Sequence, residues 1–186
     1  MAALYNRLFS GHLFDRDSEA PPVERGELSY AVEDYLPALP EMRSMYAEHY
    51  AEVAVLQDKL KLDPDYERYE ALDRAGNLHL VTVRHNGELV GYYLAVVSMH
   101  LHYKTILCSS DDIFFLRKDF RRGFAGAHLF TFVERTLKAR GVKIFVNKAK
   151  RHVFSGGAAG GVGRLLEALG STEFERSYIK WIGDDQ

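Results

Sequence analysis

The chain has 186 residues, of which 47% are apolar, so it can bury one hydrophobic core and one main domain is the default expectation. Its 24 Lys and Arg residues nearly balance 26 Asp and Glu residues, which argues against binding to nucleic acid or to a membrane surface through overall charge. The single cysteine, Cys108, excludes an internal disulfide and is typical of a reducing compartment, and no segment approaches the ~20 apolar residues of a membrane span.

Residues 1–26 form a mixed arm that ends in Ala20-Pro21-Pro22, a linker composition. We therefore predict an arm over residues 1–26 and a domain over residues 27–186. The arm has no apolar core of the kind found in signal peptides, so we expect a cytoplasmic protein. Polar residues interrupt it at Asn6, Arg7, Ser10 and His12.

The next segments predict one strand and two helices. Residues 28–32 alternate enough for a short strand, and the apolar residues of 39–60 follow the helical repeat. Asp63 and Pro64 suit the cap and first turn of a second helix, which Gly76 would end.

Residues 78–85 and 89–99 alternate apolar and polar side chains on either side of Asn86-Gly87. Asn-Gly between two such segments is a strong hairpin signal. A further turn at residues 100–104 leads to a strand over residues 105–116. The sequence thus predicts an antiparallel meander.

Residues 111–150 predict a strand, a turn, a helix and a second strand, which would pair in parallel with the first. Residues 113–116 are apolar, the turn is basic and contains glycine, and residues 142–146 form the second strand. The helical spacing is carried by Ala125, Leu129, Val133 and Leu137, and Gly141 ends the helix.

The turn over residues 121–126 (the glycine turn) combines features that suit a phosphate or pyrophosphate. A helix that starts directly after a strand points unpaired N–H groups at whatever lies over the turn. Gly123 permits a close backbone approach, and Arg121 and Arg122 add positive charge. An ordinary strand-to-helix connection with two solvated arginines is the alternative.

Residues 155–163 contain five glycines without a following Lys-Ser or Lys-Thr, so they are not a P-loop and predict a mobile loop. Leu165, Leu166 and Leu169 indicate a short helix that Gly170 ends. The alternation at residues 178–182, together with Phe174, predicts a final hairpin.

In this order the elements resemble the GNAT superfamily of acyl-CoA N-acyltransferases across about residues 27–183. Residues 114–126 and 165–170 carry the resemblance. It implies an α/β (α+β) fold in which an antiparallel meander and a parallel βαβ unit form a mixed sheet of about seven strands, flanked by about four helices. More narrowly, residues 48–50, 62–69 and 100–103 are similar to GNAT-type proteins of tailed phages and prophages.

The resemblance implies that the glycine turn binds the pyrophosphate of acetyl-CoA, the co-substrate, and that the preceding strand pairs with its pantetheine arm. The family pattern has a glycine where Phe124 stands, with Gly123 displaced by one position. The implied binding residues are Phe115, Leu116, Arg121, Arg122, Gly123, Phe124, Ala125 and Gly126.

Acetyl transfer to an amine needs a proton acceptor for the amine and an acid for the departing thiolate. Asp112, inside an apolar strand, is a candidate base for which we expect a raised pKa. His102 and His100 are the other candidate bases. In the resembled family a tyrosine is the acid that protonates the thiolate, and its position corresponds to Leu166 here. The candidates for this acid in the present chain are His152, Lys148 and Tyr178.

Other interpretations compete with these roles. Asp111 and Asp112 together also suit a strand bulge. His100 and His102 could share a metal, but no third ligand at a recognised spacing supports one, and we predict no metal. The basic residues Lys148, Lys150 and Arg151 favour a phosphate border or plain solvation over nucleic acid.

Three functions stay open from the sequence. The first is an N-acetyltransferase that acts on an amine of a small molecule or a protein. The second is a GNAT-fold protein that binds acyl-CoA or a partner without turnover. The third is a structural or host-interaction protein of a phage that uses the arm, in which case the host cytoplasm is its location. The oligomeric state is open, with a homodimer as one alternative.

Overall fold

The computed structural model describes residues 21–150 and 161–183, and its six strands form a single sheet in the order β1-β2-β3-β4-β5-β6. The first five strands pair antiparallel and β6 pairs with β5 in parallel. The strands are β1 (Val23–Arg25), β2 (Leu28–Val32), β3 (Leu78–His85), β4 (Glu88–Met99), β5 (Leu107–Leu116) and β6 (Ile144–Val146). The helices are α1 (Tyr35–Val53), α2 (Tyr66–Arg74), α3 (Ala125–Ala139) and α4 (Gly161–Ala168).

The meander and the βαβ unit predicted from the sequence are both confirmed. Asn86 and Gly87 have φ values of 51° and 85°, the left-handed pair that a two-residue hairpin between β3 and β4 requires. Gly141 has a φ of 82° directly after α3, which explains why the helix ends before β6. The fold class predicted from the sequence is therefore the observed one.

Two helix boundaries differ from the prediction. Helix α1 covers Tyr35–Val53 rather than residues 39–60, and Leu56 has a left-handed φ of 59°, so the chain has left the helix there. Asp65, not Asp63, caps α2, because its carboxylate accepts a hydrogen bond from the Arg68 amide at 3.0 Å. Both positions carry Asp, so the sequence signal was correct in type but displaced by two residues.

The predicted final hairpin is not present, and the described residues form six strands rather than about seven. Residues 171–183 contain no strand, and their apolar side chains are exposed at Phe174, Tyr178, Ile179 and Ile182. Alternation indicates which side chains could share a face, but a strand forms only where a neighbouring edge supplies hydrogen bonds. By contrast, residues 23–25 of the predicted arm do form a strand, which pairs with β2.

The described residues divide into two compact units. The first comprises residues 21–44 and 65–148 and contains the whole sheet, α2 and α3. Its core lies on both faces of the sheet. Tyr93 of β4 packs against Phe130 of α3, with ring centroids 5.9 Å apart, and Tyr92 and Leu94 are fully buried on the opposite face. The second comprises residues 45–64, 149–150 and 161–183, and within it the Lys150 ammonium donates to the Val53 carbonyl oxygen at 3.2 Å.

Across residues 21–150 and 161–183, no helix is both long and apolar enough to cross a membrane. Residues 1–20, which include most of the predicted arm, and residues 151–160, which include most of the glycine-rich loop, lie outside the described residues. The division into an arm and a domain stays a prediction.

A buried histidine joins β3 to the end of α3. His79 is 2% exposed, its Nδ1 lies 3.1 Å from Arg140 Nη1, and its Nε2 lies 2.8 Å from Thr136 Oγ1. Because a guanidinium only donates, Nδ1 must accept, and the ring proton therefore lies on Nε2. Burial, aided by the charge of Arg140, lowers the pKa of His79 to about 3.

This histidine makes folding sensitive to acid. Its folded pKa of about 3 lies below the ordinary value of 6.5, so below pH 6.5 the unfolded chain binds a proton that the folded chain excludes. Stability is therefore lost as the pH falls, by about 2 kcal/mol between pH 7 and pH 5 for one such group. We predict that, between pH 7 and pH 5, the free energy of unfolding of His79→Gln falls by about 2 kcal/mol less than that of the wild type. Urea unfolding at both pH values measures this difference. Other titrating groups are common to both proteins, so equal losses would contradict the prediction.

Candidate active site

The candidate site lies where β5 and β6 diverge. The two strands pair only over Cys108–Ser110 and Ile144–Val146. Beyond that, residues 111–116 have β4 on one side and no paired strand among the described residues on the other, which we call the open edge. An unpaired edge exposes N–H and C=O groups that an extended ligand can use as a further strand would.

The hydrogen-bond alternation along β5 shows which residues face the open edge. The Arg117 amide donates to the Val90 carbonyl oxygen at 2.9 Å, so Arg117 faces β4. In an antiparallel ladder this orientation recurs every second residue, so the backbone of Phe115 also faces β4. The backbones of Phe114 and Leu116 face the open edge instead. Of the two strand residues predicted to hold a pantetheine arm, Leu116 has the suitable orientation.

A β-bulge interrupts the ladder beside the open edge. Leu94 lies opposite Ile113 while Ala95 lies opposite Asp111, so Asp112 is the additional residue on β5. The bulge interpretation of the two aspartates is thus confirmed. It leaves Asp112 exposed, where its Oδ2 accepts a hydrogen bond from the Tyr69 hydroxyl of α2 at 2.5 Å. Tyr69 in turn stacks on Tyr35, with ring centroids 5.5 Å apart.

The raised pKa that the sequence predicted for a carboxyl group inside this strand is found at Asp111. Asp111 is 3% exposed, and burial raises its pKa to about 6 although the positive charge of Lys148 acts in the opposite direction. Its Oδ1 accepts from the Lys148 amide at 2.9 Å, and the Lys148 ammonium donates to the Asp111 carbonyl oxygen at 2.6 Å. The bulge thus places two neighbouring carboxyl groups in different surroundings, with Asp111 enclosed and Asp112 exposed.

Two further side chains complete the polar cluster at the divergence. The Tyr93 hydroxyl donates to Asn147 Oδ1 at 2.9 Å, and burial together with the charge of Asp111 raises the pKa of Tyr93. Sequence analysis did not identify Tyr93, Asn147 or Tyr69. Tyr93 follows an ordinary strand pattern, and Asn147 comes directly after β6. Tyr69 lies 43 residues from Asp112 on a different element, so no local signal linked these residues.

The glycine turn has the predicted strand-to-helix geometry. A single 3-10 turn, Lys118–Phe120, precedes Gly123, which has a left-handed φ of 56°. Helix α3 begins at Ala125 and is held to β2 by the buried Tyr30 hydroxyl, which donates to the Ala125 carbonyl oxygen at 3.2 Å. The Ala125 amide donates to the Arg122 carbonyl oxygen at 3.3 Å. The amides of Gly126 and Ala127 have no acceptor within the helix, so they can bind an anion.

The two arginines of the turn differ in their surroundings. Arg121 turns back along β5, with its guanidinium 5.3 Å from the centre of the Phe115 ring and its Nε donating to the Leu116 carbonyl oxygen. It therefore places positive charge at the end of the open edge. Arg122 is exposed, and so is Phe124, at 75%.

Two of the remaining predicted site residues lie away from this cluster. His100 and His102 occupy the turn before β5, where the His102 amide donates to His100 Nδ1 at 3.1 Å. At about 3.3 Å per residue, five residues of strand put the start of β5 roughly 16 Å from Asp112. Tyr178 belongs to the second unit and is 93% exposed, and His152 lies outside the described residues. Within residues 21–150 and 161–183, no three His, Cys, Asp or Glu side chains cluster as metal ligands.

No protein-family model matches the sequence, and no curated protein is significantly similar to it. Solved structures do match in fold. One is the aminoglycoside acetyltransferase meta-AAC0020 from an uncultured soil metagenomic sample, in complex with trehalose, with a TM-score of 0.64 and 12% identity over 86% of this chain and 97% of that chain.

Two further solved structures match in fold over a similar share of the chain. The ribosomal-protein-alanine N-acetyltransferase of Brucella melitensis biovar Abortus 2308 has a TM-score of 0.63 and 17% identity over 84% of this chain and 99% of that chain. The enzyme AAC(6')-Iy, bound to the bisubstrate analogue CoA-S-monomethyl-acetylneamine, has a TM-score of 0.60 and 14% identity over 84% of this chain and 99% of that chain.

These matches show that the chain has the fold of GNAT N-acetyltransferases, as the sequence resemblance implied. At identities of 12–17% they show the fold alone. The narrower similarity to phage proteins and the cytoplasmic location stay predictions.

The direction of β5 past its bulge depends on a close contact with β4. Gly91 lies opposite Leu116, and a Cβ at position 91 would come within 2.7 Å of Leu116 Cδ1 and 2.8 Å of the Phe115 carbonyl oxygen. We predict that Gly91→Ala displaces the end of β5 and lowers the free energy of unfolding by about 1–3 kcal/mol, measured by urea denaturation. Gly161→Ala is the matched control, because a Cβ there would meet nothing within 4 Å. An unchanged stability of the Gly91 variant would contradict the close contact.

Proposed function

We propose that the protein is an acetyl-CoA-dependent N-acetyltransferase that transfers the acetyl group directly to a primary amine of a small molecule or a protein. One observation carries the proposal: an open strand edge leads from a pair of aspartates at a bulge to a glycine turn at a helix N-terminus. This arrangement suits an elongated ligand with an anionic group at one end and a reacting group at the other.

The open edge and the glycine turn match the chemistry of coenzyme A. The pantetheine arm contains two amides, which can pair with the backbone of Phe114 and Leu116 as a strand would. The pyrophosphate suits the first-turn amides of α3, with Arg121 adding charge. The bisubstrate and coenzyme A complexes of AAC(6')-Iy support this assignment. Acetyl specificity is part of the proposal.

The aspartates supply the base chemistry. The amine nitrogen attacks the thioester carbonyl carbon, the C–S bond breaks, and the nitrogen loses a proton. Asp112 is exposed at the bulge, so an amine can reach it, and the Tyr69 hydroxyl fixes its carboxylate. We assign Asp112 as the proton acceptor. Asp111, buried behind it with a pKa of about 6, adds negative charge above that pH and stabilises the ammonium that forms on attack. His100 and His102 are the alternative bases.

The thiolate must also gain a proton. Leu166 is apolar and 7% exposed, so it has no proton to donate at the position of the family's tyrosine. Lys148 carries an ammonium beside Asp111, and Tyr178 and His152 are the other candidates. Direct release of the thiolate into solvent would also complete the reaction, because the pKa of a thiol is near 8.5.

A second function is favoured by the same Leu166 and by the exposed Phe124. A protein with this fold could bind acyl-CoA, or a partner, without turnover. It would share the cofactor site with the enzyme and would differ only in lacking transfer.

Measurements of acetyl-CoA binding and of acetyl transfer distinguish the enzyme from the protein that binds without turnover. We predict saturable acetyl-CoA binding by isothermal titration calorimetry, and release of free thiol in the presence of an amine from a panel. The panel includes an aminoglycoside and a peptide with an N-terminal alanine, because structural neighbours carry those acceptors in their names. Binding without thiol release from any amine would favour the second function. Absence of binding would overturn both.

Replacing each of the two aspartates should change the pH profile of kcat/KM in a different way. We predict that Asp112→Asn lowers kcat/KM by about 100-fold or more at every pH, because general base catalysis contributes roughly 10²–10⁴-fold. In the wild type, kcat/KM should rise as the pH passes about 6, where Asp111 ionises, and Asp111→Asn should remove this inflection. The control is Glu134→Gln, an exposed carboxylate on α3, which should leave the profile unchanged. An Asp112→Asn variant with wild-type kcat/KM would return the role to His100 or His102.

A further inference from the structure

A second concavity adjoins the glycine turn. It is a groove of about 520 Å³ between that turn and the β1–β2 hairpin, and we call it the hairpin groove. Because β1 and β6 are the two ends of the sheet order, the groove lies away from the open edge of β5. Its volume falls in the range of small-molecule sites. The turn residues Arg122, Phe124 and Ala125 form one of its walls.

Aromatic rings line this groove. Phe124 is 75% exposed, and its ring centroid lies 6.3 Å from that of His128. His85 and Phe120 form a second pair, with centroids 5.1 Å apart. An exposed phenylalanine at a helix N-cap, where it makes no side-chain capping bond, does not stabilise the helix. It does present a flat apolar face, of the kind on which a nucleobase stacks.

The charges around the rings are mixed, with two arginines available to a ligand. Arg25 and Arg122 line the groove, both are exposed, and neither forms an ion pair with another described residue. Of the two carboxylates on the lining, Glu27 lies 3.3 Å from His85 Nε2 and Asp119 precedes Phe120. Guanidinium groups bind phosphate monoesters well because their N–H groups match phosphate oxygens in pairs.

We propose that the hairpin groove binds the 3′-phosphoadenosine end of coenzyme A, with the adenine on the Phe124 ring and the 3′-phosphate held by Arg25 and Arg122. The inference rests on the proposed function, since it extends a ligand whose pyrophosphate lies on the glycine turn. A ligand that passes over this turn reaches the groove directly, because the same residues form the wall of the groove. It also gives a role to Phe124 at a position where the resembled family has glycine.

The test compares three ligands that differ by one part each. Coenzyme A carries the whole nucleotide, dephospho-coenzyme A lacks the 3′-phosphate, and pantetheine lacks the nucleotide. By calorimetry, Arg25→Gln should weaken coenzyme A binding by about 5- to 10-fold and leave dephospho-coenzyme A unchanged. Arg122 also belongs to the glycine turn, so Arg122→Gln should weaken the binding of both ligands, and that of coenzyme A by about 5- to 10-fold more. Phe124→Ala should weaken both nucleotides by about 5- to 30-fold and leave pantetheine unchanged, whereas Phe124→Trp should retain binding. Lys138→Gln, which removes an exposed charge near the other end of α3, is the matched control.

The outcomes distinguish this inference from the proposed function. Wild-type affinity for coenzyme A in Phe124→Ala and Arg25→Gln would overturn the groove assignment and leave the transferase proposal intact. Failure of the wild-type protein to bind coenzyme A at all would overturn both. Equal weakening of coenzyme A and dephospho-coenzyme A by both arginine variants would also overturn the assignment of the 3′-phosphate. Because the Phe124 side chain is 75% exposed, its variants should keep the melting temperature of the wild type. A lower melting temperature would show that a variant is misfolded.

Discussion

The divergence of β5 from β6 is the constraint on which the candidate site depends. The strands pair over three residues only, and the bulge at Asp112 then redirects β5 along β4. Had the pairing continued, the backbone groups of Phe114 and Leu116 would be saturated by β6 and no extended ligand could use them. The open edge is thus a consequence of where a parallel pairing stops. Gly91 on β4 allows the approach that keeps β5 on its new course.

The same divergence separates two adjacent aspartates into different environments. Asp111 is enclosed with the backbone amide of Lys148, and burial disfavours its ionised form. Asp112, displaced by the bulge, meets solvent and the Tyr69 hydroxyl. One residue type therefore provides an accessible carboxylate beside a buried one whose pKa is raised to about 6. Such differences between neighbouring carboxyl groups commonly mark acid–base sites.

Much of this fold could be predicted because its signals are local. Asn86-Gly87 specifies its hairpin through backbone conformation alone, and the apolar spacing of α3 specifies the face that packs on the sheet. The positions of Asp111 and Asp112 could not be assigned this way, since a bulge depends on the register between two strands. The strand predicted from the alternation at residues 178–182 is absent for a related reason. A strand needs a pairing partner, which its own sequence does not specify.

The glycine turn is where local and long-range constraints meet. Its φ at Gly123 and the start of α3 follow from the sequence, and the Tyr30 hydroxyl then fixes the first helical turn to β2. The glycine turn follows β5, and this hydrogen bond holds its far end to β2, another strand of the same sheet. The turn therefore lies between the open edge of β5 and the hairpin groove. A single short segment can therefore contact a ligand from two sides. Phe124, at the N-cap between them, is the side chain that an ordinary strand-to-helix connection would not require.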